Sequence, residues 1–451
     1  MPPRFDAPPL DCASHPPVDL VIRGARLLDP RAGLDGVADI VIRGGEIAEI
    51  TEGANAPDGA EVVDAGDLTA VPAFVDPHVH LRTPGREDEE DIDSGTRAAA
   101  AGGFCAILAQ PNTDPVVDNA SILAALRERA RREARIPTGF MAAVTVGQDG
   151  EALTEMAELA DLGAAGFTDD GRPVARAGIL RQALQYQKLA GRLIALHEED
   201  PSLSGHGVMH EGAVAALLGM AGIPSISEST MIARDAQIAL YEDAAIHIQH
   251  LSARESVEAI ERAKDAGVAI TCEASPHHLC LTDEAVRSLD AGFKMNPPLR
   301  SADDRQALID GLRSGAIDCV ATDHAPHALE EKEQPFEVAP MGVTGLETSF
   351  AALHTDLVEP GVLDLGTVVE RMTAGGAPFG LPVPTLAAGQ PANVTLLDLA
   401  ATWQVGEPGY ESRSANCAFD GRRMTGRVRM TIAAGAVAYR ERSWAIGAVP
   451  A

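Results

Sequence analysis

Six side chains able to ligate a metal ion each follow a short apolar run in this chain. The first two close the segment Ala73-Phe74-Val75-Asp76-Pro77-His78-Val79-His80. Residues i and i+2 of a strand face the same side, so both imidazoles can reach one ion. Asp170, His197, His250 and Asp323 follow, each just after another strand-like run. Imidazoles mixed with carboxylates suit zinc with coordination positions left for water, and the chemistry that follows is hydrolysis. A lone histidine is more often a hydrogen-bonded core or surface residue. Core packing, however, gives no reason to gather polar groups at strand ends.

The elements that must position these groups alternate along the chain. Apolar strand candidates lie at 72–77, 104–109, 139–145, 163–168, 192–197, 244–250, 268–273 and 317–322. Helical patterns lie between most of them, for example 119–135, 227–242, 253–265 and 302–314, with Asp118 or Asn119 able to cap the first. Eight β-α alternations predict an α/β fold, a TIM-like (β/α)8 hydrolase barrel over 71–388 with the ligands at its C-terminal mouth. Short strands at 18–23, 39–43 and 46–50 share their texture with runs at 392–397 and 430–439. Neither end buries much alone. Together, 18–70 plus 389–451 predict a small composite β domain, a β-sandwich built from both termini. Residues 1–17 are proline-rich, carry Asp6 and Asp11, and lack a basic-then-apolar signal pattern. They read as a partly disordered leader, with wrapping around the small domain as the alternative.

Bulk properties narrow the partners. The 451 residues suffice for a large core and more than one domain. With 66 acidic against 36 basic residues the net charge is −30, which argues against nucleic acid or an anionic membrane. No apolar stretch approaches the roughly 20 residues needed to span a bilayer. The six cysteines show no C-x-x-C spacing, as expected of a reducing cytoplasm without a disulfide framework.

Several segments resemble one family. Asp76-Pro-His-Val-His-Leu-Arg-Thr-Pro-Gly85 is similar to the D-x-H-x-H-x-R-x-P-G signature of dihydroorotases. Gln110-Pro-Asn-Thr113, Phe167-Thr-Asp-Asp-Gly171, Cys272-Glu-Ala-Ser-Pro-His-His-Leu279, Lys294-Met-Asn-Pro-Pro-Leu-Arg300, Ala321-Thr-Asp-His-Ala-Pro-His327 and Met341-Gly-Val-Thr-Gly-Leu-Glu347 extend the likeness. It runs from about residue 18 to 440 and is that of a class I, bacterial-type dihydroorotase of the amidohydrolase superfamily. The resemblance implies zinc-dependent, reversible cyclisation of N-carbamoyl-L-aspartate to L-dihydroorotate in pyrimidine synthesis. It implies two Zn²⁺ ions per subunit, one held by His78, His80 and Asp323 and the other by His197 and His250, bridged by Asp170 and a hydroxide. Asp323 would be the general acid and base.

Many relatives bridge their metals with a carboxylated lysine. This chain has only Lys188, Lys264, Lys294 and Lys332, none at the end of the fourth strand candidate. The resemblance therefore points to an aspartate bridge, and family spacing to His197 favours Asp170 over Asp169, which reads as a hydrogen-bonding or turn residue. Asp76 and the His277–His278 pair read as support near the mouth rather than as ligands. Arg82, two residues past His80, would share the ligand face if the strand continues, and its fork suits a carboxylate. An ion pair with the acidic run Glu87–Asp93 is its alternative. By resemblance Arg82, Asn112 and His327 take the substrate's carboxylate, Asn296 with the Met341–Gly342 backbone takes its ring or carbamoyl end, and His80 contacts the substrate besides ligating metal. Segment 325–345 reads as a mobile or substrate-contacting loop.

The partner implied is a small molecule, and homodimer formation or association with aspartate carbamoyltransferase is compatible with it. Two rivals are a hydantoinase- or allantoinase-like cyclic amidohydrolase and a non-catalytic scaffold of aspartate carbamoyltransferase. The second is disfavoured because all six ligand positions are filled. Gln110, Ser275 and Thr83 depart from residues common in the family without removing a ligand.

Overall fold

The structure, a computed structural model, describes residues 5–57, 59–442 and 444. Residues 1–4 of the expected leader, and 443 and 445–451 of the expected composite domain, lie outside the described residues. Among the described residues no helix is long and apolar enough to cross a membrane.

Two parallel sheets form the centre. One runs Phe74–Val79, Phe104–Ala109, Thr138–Phe140, and the other Ile194–Leu196, Ala245–Ile248, Ala269–Ala274, Cys319–Val320. Single parallel bridges join them: Ala142 to Phe167 and Phe167 to Ile194 on one side, Val79 to His324 on the other. The strand predicted at 163–168 is thus reduced to pairing at Phe167. Its backbone still donates from Ala165 to Phe140 and from Phe167 to Leu193 (2.8 and 2.9 Å). Just beyond it the Asp169 carboxylate bonds back to the 144–145 backbone.

Amphipathic helices cover the strands, as the helical spacing requires. Ala120–Glu133 starts at Asn119, whose side chain accepts from the Ser121 and Ile122 N–H groups, so Asn119 rather than Asp118 is the cap. Ile226–Glu242, Arg254–Asp265 and Ala302–Ser314 fall on the predicted helical patterns. Their apolar faces and the parallel strands share one core that includes Phe74, Phe104, Phe167 and Phe379.

The two chain ends build a separate sheet of eight strands. Its path runs Ala436–Arg440, Arg423–Ala433, Val394–Gln404, Thr69–Pro72, Leu20–Asp29, Leu34–Arg43, Glu46–Thr51, with Glu61–Asp64 paired in parallel to Leu20–Asp29. It is one continuous hydrogen-bonded path. The run expected at 430–439 is two strands, because the chain turns at Ala434 and Gly435, both at positive φ. A core of Ile22, Ile40, Ile42, Val394, Leu396 and Ile432 lies on its inner face.

The disordered leader is corrected for residues 5–17. Asp11 pairs antiparallel with Thr138 (N···O 2.9 and 3.0 Å), and Ala13 N–H reaches Ala134 O at 2.9 Å. The nearly buried Asp11 carboxylate takes Nε of Arg127 at 2.6 Å and of Arg131 at 2.9 Å. Two guanidiniums on one helix therefore order a segment whose composition alone reads as loose.

The ends of the chain meet at two glycines. Gly45 N–H donates to Val18 O, Val18 N–H to Gly435 O, Gly435 N–H to Ala392 O and Ala392 N–H to Gly45 O (2.8–3.1 Å). Gly435 has φ +80°, and a Cβ there would stand 2.5 Å from Gly45 O. Gly435→Ala should cost about 1–3 kcal/mol for the backbone conformation, plus a further overpacking cost. Gly33 has φ +67° with nothing within 4 Å of its Cβ position, so Gly33→Ala should show the conformational cost alone. Urea midpoints of both variants test this, and equal losses would remove close approach as the cause.

Candidate metal centre

The centre assembles where the parallel strands end. His78 lies in Phe74–Val79 and His80 just after it. Asp76, two residues earlier, accepts the His78 N–H (3.0 Å), the Thr322 N–H (3.2 Å) and the Thr322 hydroxyl (2.6 Å). It thereby ties the first strand to the segment carrying Asp323. His197 follows Ile194–Leu196 directly. His250 and Asp323 have φ of 32° and 47°, and Arg82 has φ 54°. Non-glycine residues in this region cost on the order of 1–3 kcal/mol each and concentrate at functional sites.

Asp170 sits at the focus. Its Oδ1 lies 3.5 Å from His78 Nε2, 3.4 Å from His197 Nδ1 and 3.4 Å from His250 Nε2, and its Oδ2 lies 3.4 Å from His80 Nε2. Asp323 Oδ1 faces His80 Nε2 at 3.1 Å and His78 Nε2 at 3.4 Å. All six residues are buried. Donor atoms about 2.0–2.2 Å from a tetrahedral zinc stand roughly 3.3–3.5 Å apart, close to the spacings seen. Asp170 Oδ1 and His78 Nε2 are buried with no hydrogen-bond partner, as atoms reserved for a cation are. The sets His78, His80, Asp323 and His78, Asp170, His250 each converge closely enough to hold an ion. The residues present fit a metal.

Electrostatics agree with that fit. Burial disfavours charge on Asp170, but His78, His197 and His250 outweigh it and hold its carboxyl well below the usual range. Burial also opposes charge on His78, and Asp170, Glu273 and Asp323 overcome it, raising its pKa well above the imidazole value. His197 rises to about 9 against burial, through Asp170 and Glu199. The pocket favours positive charge at its middle.

A second layer holds the imidazoles, and most of it carries no role in the sequence reading. His78 Nδ1 meets Glu273 Oε1 at 2.6 Å, and Glu273 Oε2 meets His247 Nε2 at 3.0 Å. Burial resists ionising Glu273, yet His78 and His247 bring its pKa down to about 2. Glu273 ends a strand run just as the histidines do, a signal available in the sequence, whereas His247 offers none. Gln249 donates to Gln110 Oε1 (3.3 Å) and Gln110 to Pro77 O (3.0 Å), which gives the unusual Gln110 a partner. Asn112 Oδ1 lies 2.8 Å from His80 Nδ1, so this expected substrate contact orients a histidine. Asn296 Nδ2 donates to Glu199 Oε2 at 2.7 Å and lies 3.5 Å from His197 Nε2. Asp169 turns away and accepts the Val144 and Thr145 N–H groups (2.8 and 3.1 Å).

Arg82, His327, Met341 and Gly342 gather separately at the rim. The first strand does not continue to Arg82, so the shared-face expectation fails, and the left-handed turn at Arg82 aims its side chain instead. Arg82 is buried. Its Nε bonds Pro326 O (3.0 Å) and pairs with Glu89 (3.2 Å), and Nη2 approaches His327 Nε2 at 3.4 Å. The ion pair with the acidic run exists but is internal. His327 Nε2 donates to Met341 O at 2.9 Å. Gly342 N–H donates to Lys294 O at 2.9 Å. His278 bonds Ser275 Oγ (2.7 Å) and Pro297 O (2.9 Å) and makes no hydrogen bond to a candidate ligand.

Comparison with known proteins agrees with this geometry. Residues 68–256 match the family model described as dihydro-orotase-like. Curated relatives named dihydroorotase include those of Geotalea daltonii, 45% identical with 94% of this chain and 100% of the relative covered, and Geobacter metallireducens, 43% identical at the same coverage. Among solved structures, the L-hydantoinase of Arthrobacter aurescens superposes with a TM-score of 0.84 at 25% identity, covering 94% of this chain and 96% of that one. A D-hydantoinase superposes at 0.82 and 24% identity, covering 95% and 96%, a likeness of fold.

Chelator-treated protein should regain stability on adding zinc, about 2.7 kcal/mol for one site at free zinc a hundred times its Kd. Glu273→Gln should weaken zinc binding by about 10–100-fold, measured by competition with a chromogenic chelator. A thermal transition indifferent to zinc would sink the metal assignment.

Proposed function

The chain belongs to the dihydroorotase family, and from that premise we propose that its buried His/Asp cluster is a two-zinc centre that interconverts N-carbamoyl-L-aspartate and L-dihydroorotate in pyrimidine synthesis. The carrying observation is the convergence of four imidazoles on Asp170, whose Oδ1 is buried and unpartnered. In this reading His78, His80 and Asp323 would hold one ion, His197 and His250 the other, with Asp170 serving both. A bound zinc pair would supply an acidified water and polarisation of the ring amide carbonyl.

The remaining work falls to the side chains. Asp323 engages the histidines through Oδ1, and its Oδ2 is assigned the proton. In hydrolysis it takes the proton of the attacking water and delivers it to the leaving ring nitrogen. In cyclisation it removes a proton from the carbamoyl nitrogen. Burial disfavours its charge, yet His78 and His80 keep it well below the usual carboxylate range, so it begins as a base. Arg82, Asn112 and His327 are assigned to the substrate carboxylate, His80 to the reacting edge, and Asn296 with Met341–Gly342 to the ring or carbamoyl end.

The scaffold supports the same reading. The seven parallel strands, with bridges across both seams, are read as a closed (β/α)8 barrel over 71–388. The mixed sheet from the two chain ends is read as a separate small domain. Six free thiols accord with a cytoplasmic reaction. An aspartate rather than a lysine at the focus, and curated dihydroorotases at 45% identity against an L-hydantoinase at 25%, favour dihydroorotate over hydantoin as substrate.

Purified zinc-loaded protein should hydrolyse dihydroorotate and cyclise carbamoyl-aspartate while leaving hydantoin and allantoin untouched. Asp323→Asn should lose about 10²–10⁴-fold in kcat in both directions, with zinc measured on the same sample. Hydantoin turnover without dihydroorotate turnover, or full activity of the variant, would overturn this assignment.

A further inference from the structure

Segment 325–345, expected to be a mobile or substrate-contacting loop, is held down by two lysine side chains. Lys332 Nζ donates to Lys294 O (3.2 Å), Pro340 O (3.1 Å) and Gly342 O (2.9 Å). Lys294 Nζ donates to Phe336 O (2.6 Å), Glu337 O (3.2 Å) and Ala339 O (2.7 Å). Protonated, each amine places its three donors on three backbone carbonyls, all it can offer, and burial with the neighbouring Lys294 charge lowers the Lys332 pKa to about 7. Each acts as a point cation around which the chain wraps, much as carbonyls wrap a bound metal ion. Neither forms an ion pair with a carboxylate among the described residues.

The carbonyls chosen are informative. Lys294 O accepts both Lys332 Nζ and the Gly342 N–H, so one carbonyl joins the 294–300 segment to the end of the loop. Gly342 has φ +134°, and a Cβ there would stand 2.8 Å from Ala325 Cβ and 2.9 Å from His327 Nε2. His327 Nε2 in turn donates to Met341 O. The Lys332 strap therefore ends on Gly342, a residue assigned above to the substrate, while the Lys294 strap holds the loop before it, and Lys294 is two residues from Asn296.

We propose that Lys332 and Lys294 are positioning residues for substrate binding, built-in cations that fold segment 328–342 onto the rim and present His327 and the Met341–Gly342 peptide to the substrate. The inference rests on the dihydroorotase reading and on those contacts. Removing the ammonium frees the loop without touching the metal ligands, so binding suffers before chemistry does.

The test uses full-length zinc-loaded protein carrying Lys332→Met, which keeps chain length and removes all three donors. KM for dihydroorotate should rise about tenfold while kcat stays within a factor of about two. Zinc content should be unchanged, and amide hydrogen exchange across 328–342 should accelerate. Lys332→Gln, which retains two donors, should fall between the native protein and Lys332→Met in both readouts. Faster exchange with unchanged KM overturns the positioning role, and unchanged exchange overturns the strap itself. Loss of zinc or of kcat in both variants also overturns the proposal, because the lysines then serve the whole fold. Native protein without dihydroorotate turnover fails the family reading instead, and the exchange data still judge the strap.

Discussion

A carboxylate buried away from water needs positive charge beside it, and the architecture is organised around meeting that need at Asp170. An isolated ionised carboxylate in a low-dielectric interior is costly enough to reprotonate. Here four imidazole nitrogens stand 3.4–3.5 Å away on different sides. Those imidazoles come from or just beyond three separate parallel strands, so the strands must end together for the charge to be met. The left-handed residues His250 and Asp323 are local costs accepted to aim side chains at that point.

The same logic reaches outward. Which imidazole nitrogen offers its lone pair, and in which direction, is fixed by what the other binds, and Glu273 and Asn112 hold Nδ1 of His78 and His80. Glu273 stays anionic in the core because His78 and His247 flank it. Asp76 does mechanical work instead: it bonds the His78 and Thr322 backbones and so holds the first and last parallel strands together near the centre. These polar residues form a connected network around the centre, while Asp170 Oδ1 and His78 Nε2 are left without a hydrogen-bond partner at its middle.

At the rim, cations organise backbone rather than side chains. Arg82 bonds the Pro326 carbonyl and pairs with Glu89, while Lys294 and Lys332 collect six carbonyl contacts. In a chain of net charge −30, these are local positive charges at the place where an anionic substrate is proposed to bind. The rest of the acidic surface imposes no such requirement, and its exposed ion pairs contribute little.

The features legible in the sequence were local ones. His78 and His80 two residues apart, Asn119 ahead of an apolar helical period, and the absence of a lysine near residue 170 can all be read from neighbours in the chain. Periodicity likewise marked most of the parallel strands and the helices between them, because burial of one face writes a repeat into adjacent residues. Tertiary structure decided whatever depends on partners far apart in sequence. Glu273 finds His78 across 195 positions, and Arg127 orders the N-terminal segment through Asp11 across 116. Pairing at 163–168 narrowed to bridges at Phe167, between residues 142 and 194. Arg82 reaches the rim through a turn rather than a strand, and Lys332 closes a loop that its composition left open. Spacing reports which way a side chain points from its own element. Only packing reports what waits there, since that depends on which distant elements the core brings together.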